Sequence, residues 1–151
     1  MRCASRLISR GVDERGSAAL EFVALGLVLI VPLVYLVLVL GQLQAGSLAA
    51  EGAARQAARE FVQFGSLAQA DQVAAAEIYL AASDFGFEPG QVSWSRSCEG
   101  TCLAPNSRAT VRVVIRVPLP LVPPVLQLRQ LSSVAVQASA TQTVSRFGPL
   151  R

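Results

Sequence analysis

The chain contains no histidine and no lysine, and only three of its 151 residues are cysteine. Histidine is the commonest metal ligand and the usual general base of enzymes, so its absence removes the main side chain for both roles. The sequence also lacks a serine nucleophile motif and a glycine-rich loop for phosphates. It therefore predicts a protein that is not an enzyme and that binds no cofactor and no metal.

Charged residues are few and unevenly placed. Thirteen arginines and ten acidic residues give a net charge of +3. Beyond the amino-terminal arginines the sequence shows no run of basic residues, so nucleic acid is not expected as a partner. The amino-terminal arginines are Arg2, Arg6, Arg10 and Arg15.

A long segment without charge follows these arginines. The 19 residues 22–40 are all apolar or glycine. At about 1.5 Å per helical residue they would cover about 28 Å, close to the roughly 30 Å core of a bilayer. Pro32 lies inside the segment, where membrane helices tolerate a kink. We therefore predict one helix that spans the lipid bilayer over about residues 22–43.

The distribution of charge also predicts the orientation of this helix. Arginines lie on its amino-terminal side, whereas residues 22–50 contain no charged residue at all. Positive charge favours the cytoplasmic side of a membrane. The amino terminus is therefore expected in the cytoplasm and the carboxy-terminal part outside it.

Two cysteines, Cys98 and Cys102, flank a short loop in the part expected outside the membrane. Disulfides form in exported proteins, and Gly100 would let the loop bend the two side chains together. Two free thiols, or half of a metal site, are the alternatives, and the shortage of further ligands argues against a metal. We expect a Cys98–Cys102 disulfide, with Cys3 unpaired on the cytoplasmic side.

The continuation of the membrane helix is rich in alanine. Residues 42–64 contain strong helix formers, so one long helix is expected over residues 17–64. Glu51 and Arg55 have the spacing of an i, i+4 ion pair on a solvated face. Small residues recur every four positions, which would allow close approach of a neighbouring helix or would simply reflect the alanine content. These are Gly41, Ala45, Ala49, Ala53 and Ala57.

A second, shorter helix is expected over residues 68–82, with Asp71 near its start. Helix-breaking residues follow at Gly86, Pro89 and Gly90. Acidic residues near these breaks, such as Asp84 and Glu88, are interpreted as a helix end and a loop. The chain is therefore expected to leave the helical pattern near residue 86.

Beyond the breaks, apolar residues recur at every second position. This alternation over residues 92–96 and 111–117 predicts two strands joined across the cysteine loop, and a last strand is expected over residues 134–144. Residues 117–125 contain four prolines and are not expected to form a central strand. The predicted fold class is α+β, with a long helix, a short helix and about three antiparallel strands.

The predicted organisation has three parts. Residues 1–16 are a polar, basic leader that is not expected to belong to the fold. Residues 17–64 form the long helix, and residues 65–151 form one small α+β domain outside the membrane, which is all that the remaining length permits.

The start of the long helix carries a motif. Gly16 and Ser17 begin it, Glu21 directly precedes the apolar segment, and Phe22 is the first residue of that segment. This stretch resembles the processing region of type IV pilin-like proteins, and more closely the TadE-like family of pseudopilins of tight-adherence (Flp) pilus systems. The resemblance implies that a prepilin peptidase cuts between Gly16 and Ser17 and leaves Glu21 as the fifth residue. In the better-known Flp pattern a tyrosine follows the glutamate, and here Phe22 keeps the ring without the hydroxyl.

The resemblance further implies a minor pilin in the bacterial cytoplasmic membrane that takes part in assembling a Flp-type pilus or a related secretion machine. Its partners would be prepilin peptidase, other pilin-like subunits and the assembly machinery. The spacing has a physical logic, because Glu21 would lie about 6 Å along the helix axis from the new amino group of Ser17. A carboxylate and an ammonium at the membrane edge offset each other's desolvation.

Two other interpretations compete with this one. The first is an uncleaved single-pass membrane protein whose exported domain binds another component of the cell envelope. The second, a cleaved secretory signal, fits less well because the apolar run exceeds the usual core of about 7 to 15 residues. The nearest small-residue site for signal peptidase, at residues 47–49, also lies well beyond the end of the run.

Overall fold

The computed structural model describes residues 14–120 and 133–147, which contain two α-helices and one three-stranded sheet. The α+β class predicted from the sequence is therefore confirmed. The described residues form two compact units, which divide between Val37 and Leu38. In chain order the elements are α1 (Glu14–Phe61), α2 (Leu67–Asp84), a 3-10 turn (Pro89–Gln91), β1 (Val92–Glu99), β2 (Arg108–Pro118) and β3 (Ser133–Thr143).

Helix α1 is 48 residues long and contains the whole apolar segment. It begins at Glu14, before the expected start at residue 17, and it continues past Pro32. Fifteen large apolar side chains between residues 20 and 40 are each at least 48% exposed. An apolar surface of this size is not stable in water but suits lipid. By length and composition this helix can span a membrane, in agreement with a single-pass anchor.

The later part of α1 packs into the core of the second unit. Six alanines and Phe61 are buried along one side of the helix, and the buried stripe of α2 is also mostly alanine. Small side chains allow helices to lie close to their neighbours. Much of the small-residue row of α1 is thus occupied by this chain's own core. The buried alanines of α1 are Ala49, Ala50, Ala53, Ala54, Ala57 and Ala58.

Gly46 lies at a close contact between α1 and the sheet. A Cβ atom built on Gly46 would collide with Cγ2 of Val117 and would lie 3.1 Å from Cγ2 of Val136 and 3.5 Å from Cζ of Phe87. Any larger residue at this position would push α1 away from β2 and β3. Glycine is therefore needed here for close packing.

Helix α2 ends in a turn that depends on Gly86. This residue has φ +80°, in the left-handed region that glycine adopts without strain. The N–H of Phe87 donates to the carbonyl of Ala82 at 3.1 Å, and the N–H of Gly86 donates to the carbonyl of Ser83 at 2.9 Å. This is the Schellman arrangement of a helix end. The turn directs Phe87 into the core, where it is only 5% exposed.

The sheet is antiparallel, with strand order β1-β2-β3. Trp94 of β1 lies opposite Val113 of β2, which lies opposite Ala138 of β3. The hairpin across the cysteine loop and the third strand are thus confirmed, with β3 one residue earlier than expected. The inner face of β2 is fully buried and forms the centre of the core, through Val111, Val113, Ile115 and Val117.

The proline-rich segment begins inside the central strand. Val117 and Pro118 are the last residues of β2, and Pro118 pairs with Ser133 at the end of the sheet. A proline is tolerated there because the ladder of hydrogen bonds stops at that position. Residues 121–132, which include the rest of the proline-rich segment, lie outside the described residues.

Candidate functional site

The predicted processing motif lies on the first turns of α1. Residues 16–22 are helical, so Glu21 lies one turn beyond Ser17 and on the same face. Glu21 and Phe22 are both exposed. Glu21 is also the sole charged residue in residues 16–50. The carboxylate therefore stands alone at the boundary between the charged amino terminus and the apolar segment.

The helical position of Ser17 determines what a cut before it would create. The first N–H groups of a helix have no carbonyl partner within the helix and carry partial positive charge. A helix beginning at Ser17 would add a full ammonium charge to this end. A carboxylate one turn further on, at Glu21, is favourable in that field.

Cys98 near the end of β1 forms a disulfide with Cys102 in the following loop, with the two Cα atoms 5.4 Å apart. Gly100 between them has φ +83°, the left-handed conformation that lets this short loop close. The predicted bond is thus present. It closes one end of the β1–β2 hairpin.

Arg96 on β1 connects three elements and the disulfide loop. Its Nε donates to Oδ1 of Asp71 at 2.5 Å, and its Nη2 donates to Oδ2 at 3.1 Å. Its guanidinium carbon lies 5.8 Å from the centre of the Phe61 ring, a cation–π contact. Its Nη1 lies 3.7 Å from Sγ of Cys102. One side chain therefore ties β1 to the start of α2, the end of α1 and the disulfide.

Sequence reasoning did not find this cluster. The alternating pattern placed Arg96 on the apolar side of β1, and a charge at such a position requires a partner. A charged residue on the apolar side of a strand is thus the sequence feature that indicates such a partner. It does not identify Asp71, which is 25 residues away in the chain.

The outer face of the sheet presents a row of three arginines. Arg108, Arg112 and Arg116 of β2 are exposed on this face, here called the arginine row. Each arginine is four positions along the strand from the next, a distance of about 13 Å. The sequence showed no basic cluster because these arginines are not adjacent in the chain. The alternation of the strand brings them onto one surface.

The surroundings of the arginine row are small and polar. Arg112 lies between Ser95 of β1 and Ser139 of β3 in the register of the sheet. A shallow, open depression of about 150 Å³ adjoins it and is lined also by Gln137 and Ala138. Hydroxyl and amide groups therefore surround the guanidinium, a combination that suits carboxylate and other anionic groups.

The described residues thus offer two candidate surfaces, the motif at the start of α1 and the arginine row. Within residues 14–120 and 133–147, no group of His, Cys, Asp and Glu side chains is placed to hold a metal ion. Comparisons with protein-family models, with curated proteins and with solved structures find no match to this chain.

Proposed function

We propose that this protein is a TadE-like minor pilin, or pseudopilin, that takes part in the assembly of a Flp-type pilus or a related secretion machine. The observation that carries the proposal is the motif of residues 16–22 directly before an uncharged segment. Gly16 and Ser17 form the processing site of prepilin peptidase. Glu21 and Phe22 are recognised by other subunits or by the assembly machinery.

The electrostatics of the helix start support this role. A charge near the centre of a membrane costs about 2.5 to 3.5 kcal/mol on insertion scales, and less at the edge. Glu21 lies at this edge, and no arginine between residues 16 and 54 could serve as its counter-charge. An ammonium at Ser17, created by the cut, supplies its counter-charge within one subunit or between neighbours. Such a pair sets the register of one helix against the next.

The anchor and the disulfide support the location. The exposed apolar surface of α1 is suited to lipid, and the Cys98–Cys102 bond suits an oxidising compartment. The protein accordingly resides in the bacterial cytoplasmic membrane with its amino terminus in the cytoplasm. The domain of residues 65–151 lies outside.

Mass spectrometry of the protein from strains with and without prepilin peptidase tests the proposal. We expect a chain that starts at Ser17 in the first strain and an uncut chain in the second. Gly16→Ala should block the cut because it adds a Cβ where the backbone enters the protease. Gly26→Ala is the matched control, since nothing lies within 4 Å of a Cβ at that position on the same helix.

An amino terminus at Met1 in both strains would contradict the proposal. It would favour the alternative, an uncleaved single-pass membrane protein whose exported domain binds another envelope component. Unchanged processing in Gly16→Ala would show that the cut, if present, lies elsewhere.

A further inference from the structure

Charge is segregated along the chain that forms the second unit. Residues 62–95 contain four acidic residues and no arginine, whereas residues 100–151 contain six arginines and no acidic residue. The first stretch includes α2 and the second includes β2 and β3. Helix α2 and the turn after it are therefore acidic and the outer face of the sheet is mostly basic, whereas the part of α1 in this unit carries two acidic residues and two arginines.

The acidic side presents a defined surface on α2. Glu77, Leu80 and Asp84 have the i, i+3, i+7 spacing of one helix face. On this face Leu80 is 60% exposed and Asp84 is exposed, whereas Glu77 is half-buried beside the buried stripe of α2. Glu88 is exposed in the turn that follows. These four residues are called the acidic α2 surface.

None of these carboxylates has an arginine partner among the described residues. The ion pairs within residues 14–120 and 133–147 are Glu51–Arg55 and Asp71–Arg96. The arginine row is likewise without a carboxylate within 4.0 Å in this part of the chain. In the sheet register one acidic residue, Glu99, lies opposite the row, at Arg108. The opposite charges of the two surfaces are thus left available for another molecule.

The two surfaces match in spacing as well as in sign. Glu77 and Asp84 are about 10 Å apart along α2, and Leu80 lies between them. Arg112 and Arg116 are about 13 Å apart along β2, and the half-buried Val114 lies between them on the same face. Arginine side chains are long enough to cover the difference. The acid–apolar–acid pattern of α2 is therefore complementary to the arginine–apolar–arginine pattern of β2.

We propose that the acidic α2 surface of one copy of this chain docks on the arginine row of a second copy. Glu77 and Asp84 pair with the two arginines, and Leu80 contacts Val114. The helices cover the inner face of the sheet, so the two docking surfaces lie on opposite layers of the domain. The contact is therefore head-to-tail, and its repetition extends a line of copies instead of closing a two-fold dimer.

The contact is expected to be weak between dilute molecules. Exposed ion pairs contribute little each, and salt screens them. Copies anchored in one membrane, however, meet at a high effective concentration, which makes weak repeated contacts sufficient. The contact involves neither Gly16 nor Ser17. It goes beyond the proposed pilin function, and its failure would leave the processing test unaffected.

Cross-linking of the full-length chain in bacterial membranes tests the proposal. Cys3→Ser removes the third cysteine of the chain. Ser83→Cys places a thiol beside the acidic α2 surface and Ser139→Cys places one beside the arginine row. A short bis-maleimide is the cross-linker. We expect a ladder of dimers, trimers and larger products from the double-cysteine chain, because each copy then has two different links. Either cysteine alone should give no product larger than a dimer. Roughly 0.5 M salt should weaken the ladder.

Charge reversal identifies the pairing. Arg112→Glu and Asp84→Arg should each reduce trimers and larger products by about fivefold or more, and the two together should restore them. Arg146→Glu, an equal charge change at an exposed arginine outside the row, should leave the ladder unchanged. Arg116→Glu provides a second reversal within the row. In every variant Cys98 and Cys102 must stay unreactive without reductant. This result checks that the disulfide has formed, and it ensures that the bis-maleimide does not react with these two cysteines.

The absence of a ladder would overturn the proposal, as would an unchanged ladder in Arg112→Glu or failure of the combined reversal to restore it. Equal dimer yield from Ser139→Cys alone would also overturn it, because it would indicate two sheet faces in contact. If Arg112→Glu reduced cross-linking and Asp84→Arg did not, the arginine row would bind a different acidic partner and self-association through α2 would be rejected.

Discussion

Arg96 and Asp71 form a two-point ion pair between β1 and α2, and the guanidinium also lies over the ring of Phe61. The side chains of the pair are 30% and 33% exposed. Both charges are thus partly removed from water, so each is stabilised by the other. The pair joins segments that are distant in the chain and holds the disulfide loop against the helices.

Asp71→Ala should lower the free energy of unfolding by about 1 to 3 kcal/mol, because the half-buried Arg96 loses its partner. Glu51→Ala is the matched control. It removes an ion pair with Arg55 whose side chains are 69% and 48% exposed, and it should cost at most about 0.5 kcal/mol. Urea unfolding of the detergent-solubilised protein, followed by fluorescence of Trp94, measures both. Equal losses would show that the half-buried pair contributes no more than the surface pair.

Gly46→Ala should destabilise the protein by about 1 to 2 kcal/mol, since the added Cβ collides with Val117 and the cost of overpacking exceeds the gain in helix propensity. Gly52→Ala on the same helix meets nothing within 4 Å and should stabilise by up to about 1 kcal/mol. The same unfolding measurement compares them. Stabilisation by both substitutions would contradict the tight contact between α1 and β2.

Labelling of Cys98 and Cys102 by maleimide in denatured protein from the cell envelope should require reductant. Protein from a strain without prepilin peptidase keeps residues 1–16, and in that protein Cys3 is the internal control, because it should label without reductant. Replacing both cysteines by serine should cost about 2 kcal/mol of stability, the loop-entropy value for so short a loop. Labelling of all three thiols in the absence of reductant would contradict the disulfide.

Glu21→Lys should impair assembly far more than Glu51→Lys. The first change places a positive charge beside the expected ammonium of Ser17, whereas the second lies on an exposed surface of α1. Pilus-dependent adhesion of a deletion strain carrying each variant, with protein levels checked by immunoblot, measures the difference. Equal effects on adhesion would indicate a role for bulk charge instead of a specific carboxylate.

Local patterns predicted the elements of this fold well. The alternation of β1 and β2, the break at Gly86 and the pairing of Cys98 with Cys102 depend on neighbouring residues, so the sequence alone reveals them. Helix ends were less accurate, since α1 begins at Glu14 instead of residue 17 and ends at Phe61 instead of residue 64. Terminal turns of a helix differ little in energy from the adjacent coil.

Contacts between distant residues were not predictable in the same way. The pairing of Arg96 with Asp71 and the collision point at Gly46 depend on how α1, α2 and the sheet pack. The arginine row depends on strand register, which a charge count along the chain does not reveal. The sequence alone therefore predicts the motif from Gly16 to Phe22, whereas the arginine row can be recognised only from the fold.

The alanine stripe of α1 has a consequence for how the sequence of this helix can change. In the apolar segment, Leu, Val and Ile can replace one another because their side chains are exposed and no packing partner limits their volume. From Ala49 to Ala58 every buried position is already the smallest side chain with a Cβ, so most substitutions there enlarge the core beyond its space. One continuous helix therefore contains a segment whose sequence can vary and a segment whose sequence can change little. Among related chains, divergence should be concentrated in the first.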